Sequence, residues 1–469
     1  MNDTICAIAT APGGAIGIVR LSGPEAISIA SRVCHRIKVT TPSRTAVFTP
    51  ITLPEVSPDG LSEVLDEALV TLFRAPNSYT GEDCVEFSCH GSRYILNQLI
   101  ELLISSGARL ANPGEFTQRA FLNGKLDLSQ AEAIAELIAS TNRVTHHLAM
   151  SQLRGHVSNE LASLRDQLLR LTSLLELELD FSDHEELEFA DRSELLALAQ
   201  TIDERIQRLT RSFETGQAIK EGIPVAIVGK TNVGKSTLLN RLLRDDRAIV
   251  SDIHGTTRDT IEDTIDLRGI TFRFIDTAGI RQTADTVEQI GISRTYAAIV
   301  KARIVLWLID EPPAEEELAD IQARCEGKKL LVIQNKIDIN ENRNPQSSFL
   351  NYQLLGISAK TGQGIPALED AIFAAADVPE LTEQDIIITS ARHFEALTRA
   401  HDSLTRVIAG LTSQSNLSTF QHFNVSTVPT DLIAEDLRLT LDALAEITGG
   451  AITPQETLNN IFSHFCVGK

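Results

Sequence analysis

Gly229-Lys230-Thr231-Asn232-Val233-Gly234-Lys235-Ser236-Thr237 fits the spacing G-x-x-x-x-G-K-[ST]. Before it, Pro224-Val225-Ala226-Ile227-Val228 reads as a buried strand; after it, Ser236 to Leu243 reads as a helix. A strand–loop–helix of this kind turns successive backbone N–H groups, and the positive end of a helix dipole, toward one phosphate. Lys235 is then placed to reach the outer phosphates and the Ser236 hydroxyl to ligate Mg²⁺.

The phosphate loop does not select a base; the runs downstream do. Asp276-Thr277-Ala278-Gly279 follows the expected strand Phe272–Ile275, where an Asp suits the Mg²⁺ shell and the Gly lets its backbone N–H approach a γ-phosphate. Asn335-Lys336-Ile337-Asp338 follows the strand Leu330–Ile333. Asp338 can accept from both N1–H and the exocyclic amine of guanine, and adenine offers no such donor pair. Ser358-Ala359-Lys360 follows the strand Tyr352–Ile357 and is expected to buttress the base, while Thr256-Thr257 occupies the place of a mobile Mg²⁺-ligating Thr. Their order and spacing predict a guanine-nucleotide domain of about 160 residues with a doubly wound parallel sheet.

The full chain of 469 residues is long enough for roughly three domains. It has no apolar run of 18 residues, hence no expected membrane span, and the start Met1-Asn2-Asp3-Thr4-Ile5-Cys6 does not read as a secretory signal. The six cysteines (6, 34, 84, 89, 325 and 466) show no paired C-x-x-C spacing. Cys84, Cys89 and His90 could be imagined as metal ligands, but that spacing favours a structural reading, and a reducing cytoplasm is expected. A net charge of −21 argues against broad, non-specific nucleic-acid binding, which needs a basic face.

Either side of the nucleotide block the patterning differs. The first 120 or so residues read as α+β, with strands at Ile16–Leu21, Ala68–Phe73 and Val85–Cys89 and a helix from Tyr94 to Ser105. From about Asp127, one helix face carries Ala131, Ile134, Ala135 and Ile138; Leu161, Leu164, Leu168, Leu171 and Leu175 follow 3-4-3-4 spacing, and Ile202, Ile206 and Leu209 repeat the pattern. Asp180 to Glu188 is an acidic break that reads as a solvated loop. Arg392–Leu411 and Pro429–Ile447 return to amphipathic helix, which predicts one discontinuous helical domain with the nucleotide domain inserted in it.

Further runs carry a family resemblance: Asp3 to Thr10, Gly17 to Gly23, Pro76 to Asp83, His90-Gly91, Pro113 to Thr117, Arg119 to Leu128 and the tail Phe465-Cys466-Val467-Gly468-Lys469. With the nucleotide motifs they resemble, in order and over essentially the whole chain, the MnmE (TrmE) family of tRNA modification GTPases. The resemblance implies an N-terminal tetrahydrofolate-binding and dimerisation domain over residues 1–120, helical parts at 121–217 and 381–469 with a Cys-x-Gly-Lys tail, and a P-loop GTPase domain at 218–380. It implies a homodimer that joins an FAD-dependent MnmG (GidA) protein in a heterotetramer. Together these install an aminomethyl or carboxymethylaminomethyl group at C5 of wobble uridine in tRNA, using 5-formyl- or 5,10-methylene-tetrahydrofolate as one-carbon donor. By motif position, Arg20, Glu86, Lys125 and Lys469 are the folate contacts. Arg and Lys suit the folate carboxylates, and Glu86 the amino edge of the pterin.

The resemblance also implies potassium in place of an arginine finger. Asn232 would ligate K⁺ between the β- and γ-phosphates, with Ser251, Ile253 and Thr256 completing the shell; Ser236 and Thr257 would hold Mg²⁺. Glu288 matches the family's water-orienting carboxylate, and Lys235 and Asn232 are the other catalytic candidates. The GTP shell carried over is Asn232, Val233, Gly234, Lys235, Ser236, Thr237, Ser251, Asp252, Ile253, His254, Gly255, Thr256, Thr257, Asp276, Thr277, Ala278, Gly279, Asn335, Lys336, Asp338, Ser358, Ala359 and Lys360. Ser251 stands where the family often has Thr, and Thr231 where Pro is common. Two other readings remain at this stage: a ribosome-assembly GTPase, which would share the central block but not the Arg20, Glu86 and Lys125 contexts, and a folate-dependent aminomethyltransferase with a regulatory GTPase.

Overall fold

The computed structural model describes residues 3–11, 13–56, 62–180, 192–245, 263–275, 297–339, 354–378, 385–415, 429–450, 458, 461–463, 465 and 468. It divides into two compact units. The first comprises Met1–Ile138, Gln152–Asp203 and Arg399–Lys469, the second Ala139–Ser151 and Glu204–Thr398.

In the first unit, β1 (Ile5–Ile8), β2 (Ile16–Ser22), β3 (Thr45–Val56), β4 (Ser62–Phe73), β5 (Cys84–His90) and β6 (Arg109–Leu110) form one sheet in the order β3-β4-β5-β2-β1-β6. Its neighbours run antiparallel except β1 with β6. Alternation sorts the two faces. Val19, Leu21, Val70, Leu72, Val85 and Phe87 are buried in one core with Ile29 of α1 (Ala26–Val33) and Leu96, Leu99 and Leu103 of α2 (Arg93–Ser105). Arg20 and Glu86, at the intervening positions, stand opposite one another in the β2–β5 register.

The same unit holds the leucine-rich helix. In α6 (His156–Asp180), Leu161, Leu164, Leu168, Leu171 and Leu175 are all buried, and α12 (Thr430–Thr448) lies along it with Ile433, Leu437, Leu444 and Ile447 inward. Each such side chain removed from water contributes roughly 1.5–3 kcal/mol, so this seam supplies much of the stability of the helices it joins. Near the chain end, Phe462 and Phe465 cluster with Leu128 and Ala131 of α4 (Leu128–Ala139). Phe121 of α3 (Glu115–Leu122) packs against that cluster.

The second unit is a doubly wound α/β sheet of β7 (Ile223–Val228), β8 (Asp263–Leu267), β9 (Ile270–Phe274), β10 (Ile304–Ile309), β11 (Lys329–Gln334) and β12 (Leu354–Gly356), in the order β12-β11-β10-β7-β9-β8. All pairs are parallel except the edge pair β8–β9. α8 (Lys235–Asp245) and α10 (Ile365–Ala375) cover one face through Leu238, Leu239, Leu242, Leu368 and Ile372. Ile321 of α9 (Glu315–Arg324), Ala298 and Ile299 cover the other. Sheets of this kind gather ligands at the carboxyl ends of their strands. Here those ends lead into Gly229, Asp310, Asn335 and Ser358.

Two long helices, α7 (Arg192–Glu221) and α11 (Ala391–Ser415), each contain a boundary between the units. The acidic run at 181–188 lies outside the described residues. Among the described residues no helix is long and apolar enough to cross a membrane.

Candidate functional site

The phosphate loop follows β7 directly, and its helix opens at Lys235, one residue earlier than the sequence pattern predicts. Asn232 adopts φ 62° and Gly234 φ 106°, so the loop passes twice through the left-handed region within three residues. The Lys235 ammonium turns back to donate to the Gly229 and Lys230 carbonyls, each at 2.7 Å. Burial holds its pKa below the ordinary lysine value. A half-buried cation met among the described residues by neutral carbonyls alone favours an anion beside it. Ser236, Thr237 and Asn232 are exposed at the helix start and loop tip, which leaves hydroxyl and amide oxygens available to hard cations such as Mg²⁺ and K⁺.

Asn335 joins the parts of this site. It is buried at 4% exposure; its amide nitrogen donates to the Val233 carbonyl at 2.8 Å, and its Oδ1 accepts from the Ala359 N–H at 3.0 Å. One side chain therefore spans the phosphate loop, the end of β11 and the Ser358–Lys360 turn. Lys336, at φ 64°, pairs with Asp310 at 2.9 Å; that hydrogen bond holds the Asp310 carboxyl below its usual pKa. Ser358 and Ala359 are buried, Asp338 is half-buried and Lys360 exposed. At the rim, Lys230 pairs with Glu317 at 2.8 Å. Ser251, Asp252, Ile253, His254, Gly255, Thr256, Thr257, Asp276, Thr277, Ala278, Gly279 and Glu288 lie outside the described residues.

A second constellation occupies the first unit. The Arg20 guanidinium donates to Glu86 at 2.9 Å from Nε and lies 5.3 and 5.7 Å from the Tyr79 and Phe116 ring centres, within cation–π range. Its Nη2 pairs with the Glu86 carboxylate at 2.8 Å, and its Nη1 donates to the Gly468 carbonyl at 3.3 Å. Gly468 takes φ 96°, and a Cβ there would lie 2.4 Å from the Ile8 carbonyl, so only glycine lets the tail approach β1 this closely. Arg20 and Lys125 line a cavity of about 470 Å³ with Ser78, Tyr79 and the apolar side chains of Leu126, Ile134, Leu137, Ile138 and Leu153. A lining that combines two cationic side chains with several apolar ones suits a molecule that is both anionic and ring-bearing. Lys125 also donates to the Pro76 carbonyl at 2.9 Å. Cys466 and Lys469 lie outside the described residues.

The first unit also holds an ion cluster centred on the buried Arg119 and Glu115. Arg119, 1% exposed, donates to Asp3 and Glu115, at 2.8 and 2.9 Å, and to Glu82; Arg109 donates to the same Asp3 and Glu115. Three buried cysteines hold their protons tightly. Burial pushes Cys6 up to about 11 and Cys34 and Cys89 up to about 12, far from thiolate at neutral pH. Cys84 contacts Ser22 and Thr80, His90 pairs with Asp66, and no three His, Cys, Asp or Glu among the described residues gather as metal ligands.

The sequence motifs contained Tyr79 and Phe116 without assigning them a role, and reasoning from motifs missed Asp310 and Glu317. Asp310 had a readable signal, a carboxylate closing the six-residue apolar run Ile304–Ile309.

Strand order, phosphate loop and the Asn335 bridge define a P-loop nucleotide-binding protein that also carries an α+β and helical unit. A family model described as the MnmE helical domain matches residues 128–466, and one described as the GTP-binding protein TrmE N-terminus matches residues 4–125. The tRNA modification GTPase MnmE of Phocaeicola vulgatus is 53% identical, covering 100% of this chain and 99% of its own; that of Bacteroides fragilis is 51% identical over 100% of each. Among solved structures, the G domain of the T. maritima FeoB iron transporter is 24% identical over 33% of this chain and 99% of its own, with a TM-score of 0.25, too low to add weight. The chain belongs to the MnmE family of tRNA modification GTPases, and so to the GTP hydrolases.

Proposed function

We propose that the protein is a K⁺-stimulated GTPase that works with an FAD-dependent MnmG-type partner to modify C5 of wobble uridine in tRNA, drawing the carbon from a tetrahydrofolate. The observation that carries this reading is the full-length identity to proteins named tRNA modification GTPase MnmE, which includes the α+β unit as well as the nucleotide unit. A ribosome-assembly GTPase would give no reason for that α+β unit. The proposal includes a homodimer, a cytoplasmic location and the four-segment organisation 1–120, 121–217, 218–380 and 381–469.

In the nucleotide unit, Lys235 leaves its loop carbonyls for the β- and γ-phosphates, and Ser236 with Thr257 holds Mg²⁺. Asn232, Ser251, Ile253 and Thr256 hold K⁺, which supplies the positive charge that an arginine finger supplies elsewhere. Glu288 orients the attacking water, and Asp338 reads guanine. In the first unit, Arg20, Lys125 and Lys469 hold the anionic groups of the folate and Glu86 accepts from its pterin edge. The Arg20–Glu86 pair supports this by pinning both side chains before the ligand arrives.

GTP turnover measured in matched KCl and NaCl buffers tests the cation site without reference to folate or tRNA. Turnover is expected to fall at least tenfold in Na⁺; equal rates would remove K⁺ from the mechanism.

A further inference from the structure

The turn from Ser358 to Gln363 is closed by its own hydrogen bonds. The Ser358 N–H donates to the Gln363 carbonyl at 2.9 Å and the Gly362 N–H to the Ser358 carbonyl at 2.8 Å. Among the described residues, two side chains from elsewhere in the unit hydrogen-bond to this turn. One is Asn335, which belongs to a nucleotide motif. The other is Arg241, which belongs to none.

Arg241 lies on α8, the helix that begins with Lys235. Its terminal nitrogen donates to the Lys360 carbonyl at 2.7 Å and its Nε to the Ala359 carbonyl at 3.4 Å. Gly362, at φ 91°, supplies the left-handed residue of the turn, and its Cβ position lies at van der Waals distance, 3.7 Å, from the guanidinium carbon. A planar fork engaging two successive carbonyls fixes both distance and tilt, which a single ammonium cannot do. The same helix thus presents its first turn to the phosphates and, farther along, grips the turn on the base side. Among the described residues, the hydrogen bonds of Arg241 go to backbone carbonyls of that turn.

We infer that Arg241 is a positioning residue for guanine-nucleotide binding: it sets the Ser358-Ala359-Lys360 turn at a fixed span from the phosphate loop, so that base and phosphates are met together. This rests on the assignment of that turn to the base, and the experiment separates the two. Removing the fork leaves the turn to be ordered when nucleotide binds, a cost that falls on affinity rather than on the chemical step.

Arg241→Ala, Arg241→Lys and Asp338→Ala are compared for KM, kcat and the release rate of a fluorescent GDP analogue. Arg241→Ala is expected to raise KM and the release rate about five- to tenfold, the effect of one or two hydrogen bonds, with kcat within twofold of wild type. Arg241→Lys, with one donor point, should fall between. Unchanged KM and release in Arg241→Ala alongside a large loss in Asp338→Ala overturns the role of Arg241 alone. No loss in Asp338→Ala overturns the base-side assignment beneath it. A fall in kcat at constant KM, or failure of even the Lys variant to fold, overturns the positioning role as well.

Discussion

Arg20 and Glu86 meet because β2 and β5 are paired in one register, Arg20 opposite Glu86 and Val19 opposite Phe87. A slip of β2 by one residue would turn Arg20 into the apolar core and Val19 out of it. The motif contexts singled out both residues, but nothing in the sequence stated that they touch, or that Tyr79, Phe116 and the Gly468 carbonyl close round the same guanidinium. Those partners lie far apart in the chain and converge only on folding. A hydrogen bond to a charged group is worth about 1.5–3 kcal/mol, or roughly ten- to hundredfold in Kd. Arg20→Ala should therefore weaken 5-formyl-tetrahydrofolate binding by that factor in calorimetric titration, with GTP turnover within twofold. Unchanged folate affinity would move the folate site elsewhere.

At the scale of elements, the loop between β7 and α8 depends on Gly234. Its φ of 106° is strained for any L side chain, and an added Cβ would sit 2.2 Å from the Asn335 amide nitrogen. Gly234→Ala should therefore both strain the loop, by about 1–3 kcal/mol, and displace the side chain that joins it to β11 and the Ser358 turn. Expected is at least a tenfold loss of affinity for a fluorescent GDP analogue, with the helical content measured by circular dichroism unchanged. Wild-type affinity would show that the Asn335 bridge is dispensable. The loop and α8 were legible because glycine spacing and amphipathic periodicity are local signals. β10 was not: Ile-Val-Leu-Trp-Leu-Ile has no alternation, since β10 is buried on both faces, and a uniform apolar run of six does not distinguish strand from helix.

Acid should act on the molecule through the Arg109–Arg119 cluster. Burial raises the pKa of Glu115, but hydrogen bonds from Arg109, from the Asn112 backbone N–H and from Arg119 more than reverse it, leaving the native value depressed. Hydrogen bonding from Arg109 likewise depresses Asp3, whose exposure weakens its share. A depressed native pKa contributes stability above the unfolded value, about 4.3 for Glu, and loses it as pH falls through the native one. Urea unfolding followed at a probe in the first unit should show stability falling steeply below about pH 4. Arg109→Ala should be less stable at pH 7 and flatter on the acid side. Parallel pH profiles for the two proteins would show that the cluster does not govern acid unfolding.

By itself, the sequence determined the classes of element and their chemistry. Period-3.6 leucines became α6, the glycine-spaced run became the tight loop between β7 and α8, and the runs flanking the nucleotide block announced an interrupted helical region. These properties are set within a few turns of chain, by backbone sterics and side-chain periodicity. Only the tertiary structure decided that Asn335 bridges Val233 and Ala359, that Arg241 grips the turn at Lys360, and that Gly468 brings the chain end to Arg20. Such contacts join residues up to 448 positions apart. They depend on strand order, register and close backbone approach, which are settled by burying the whole core at once rather than by any local stretch.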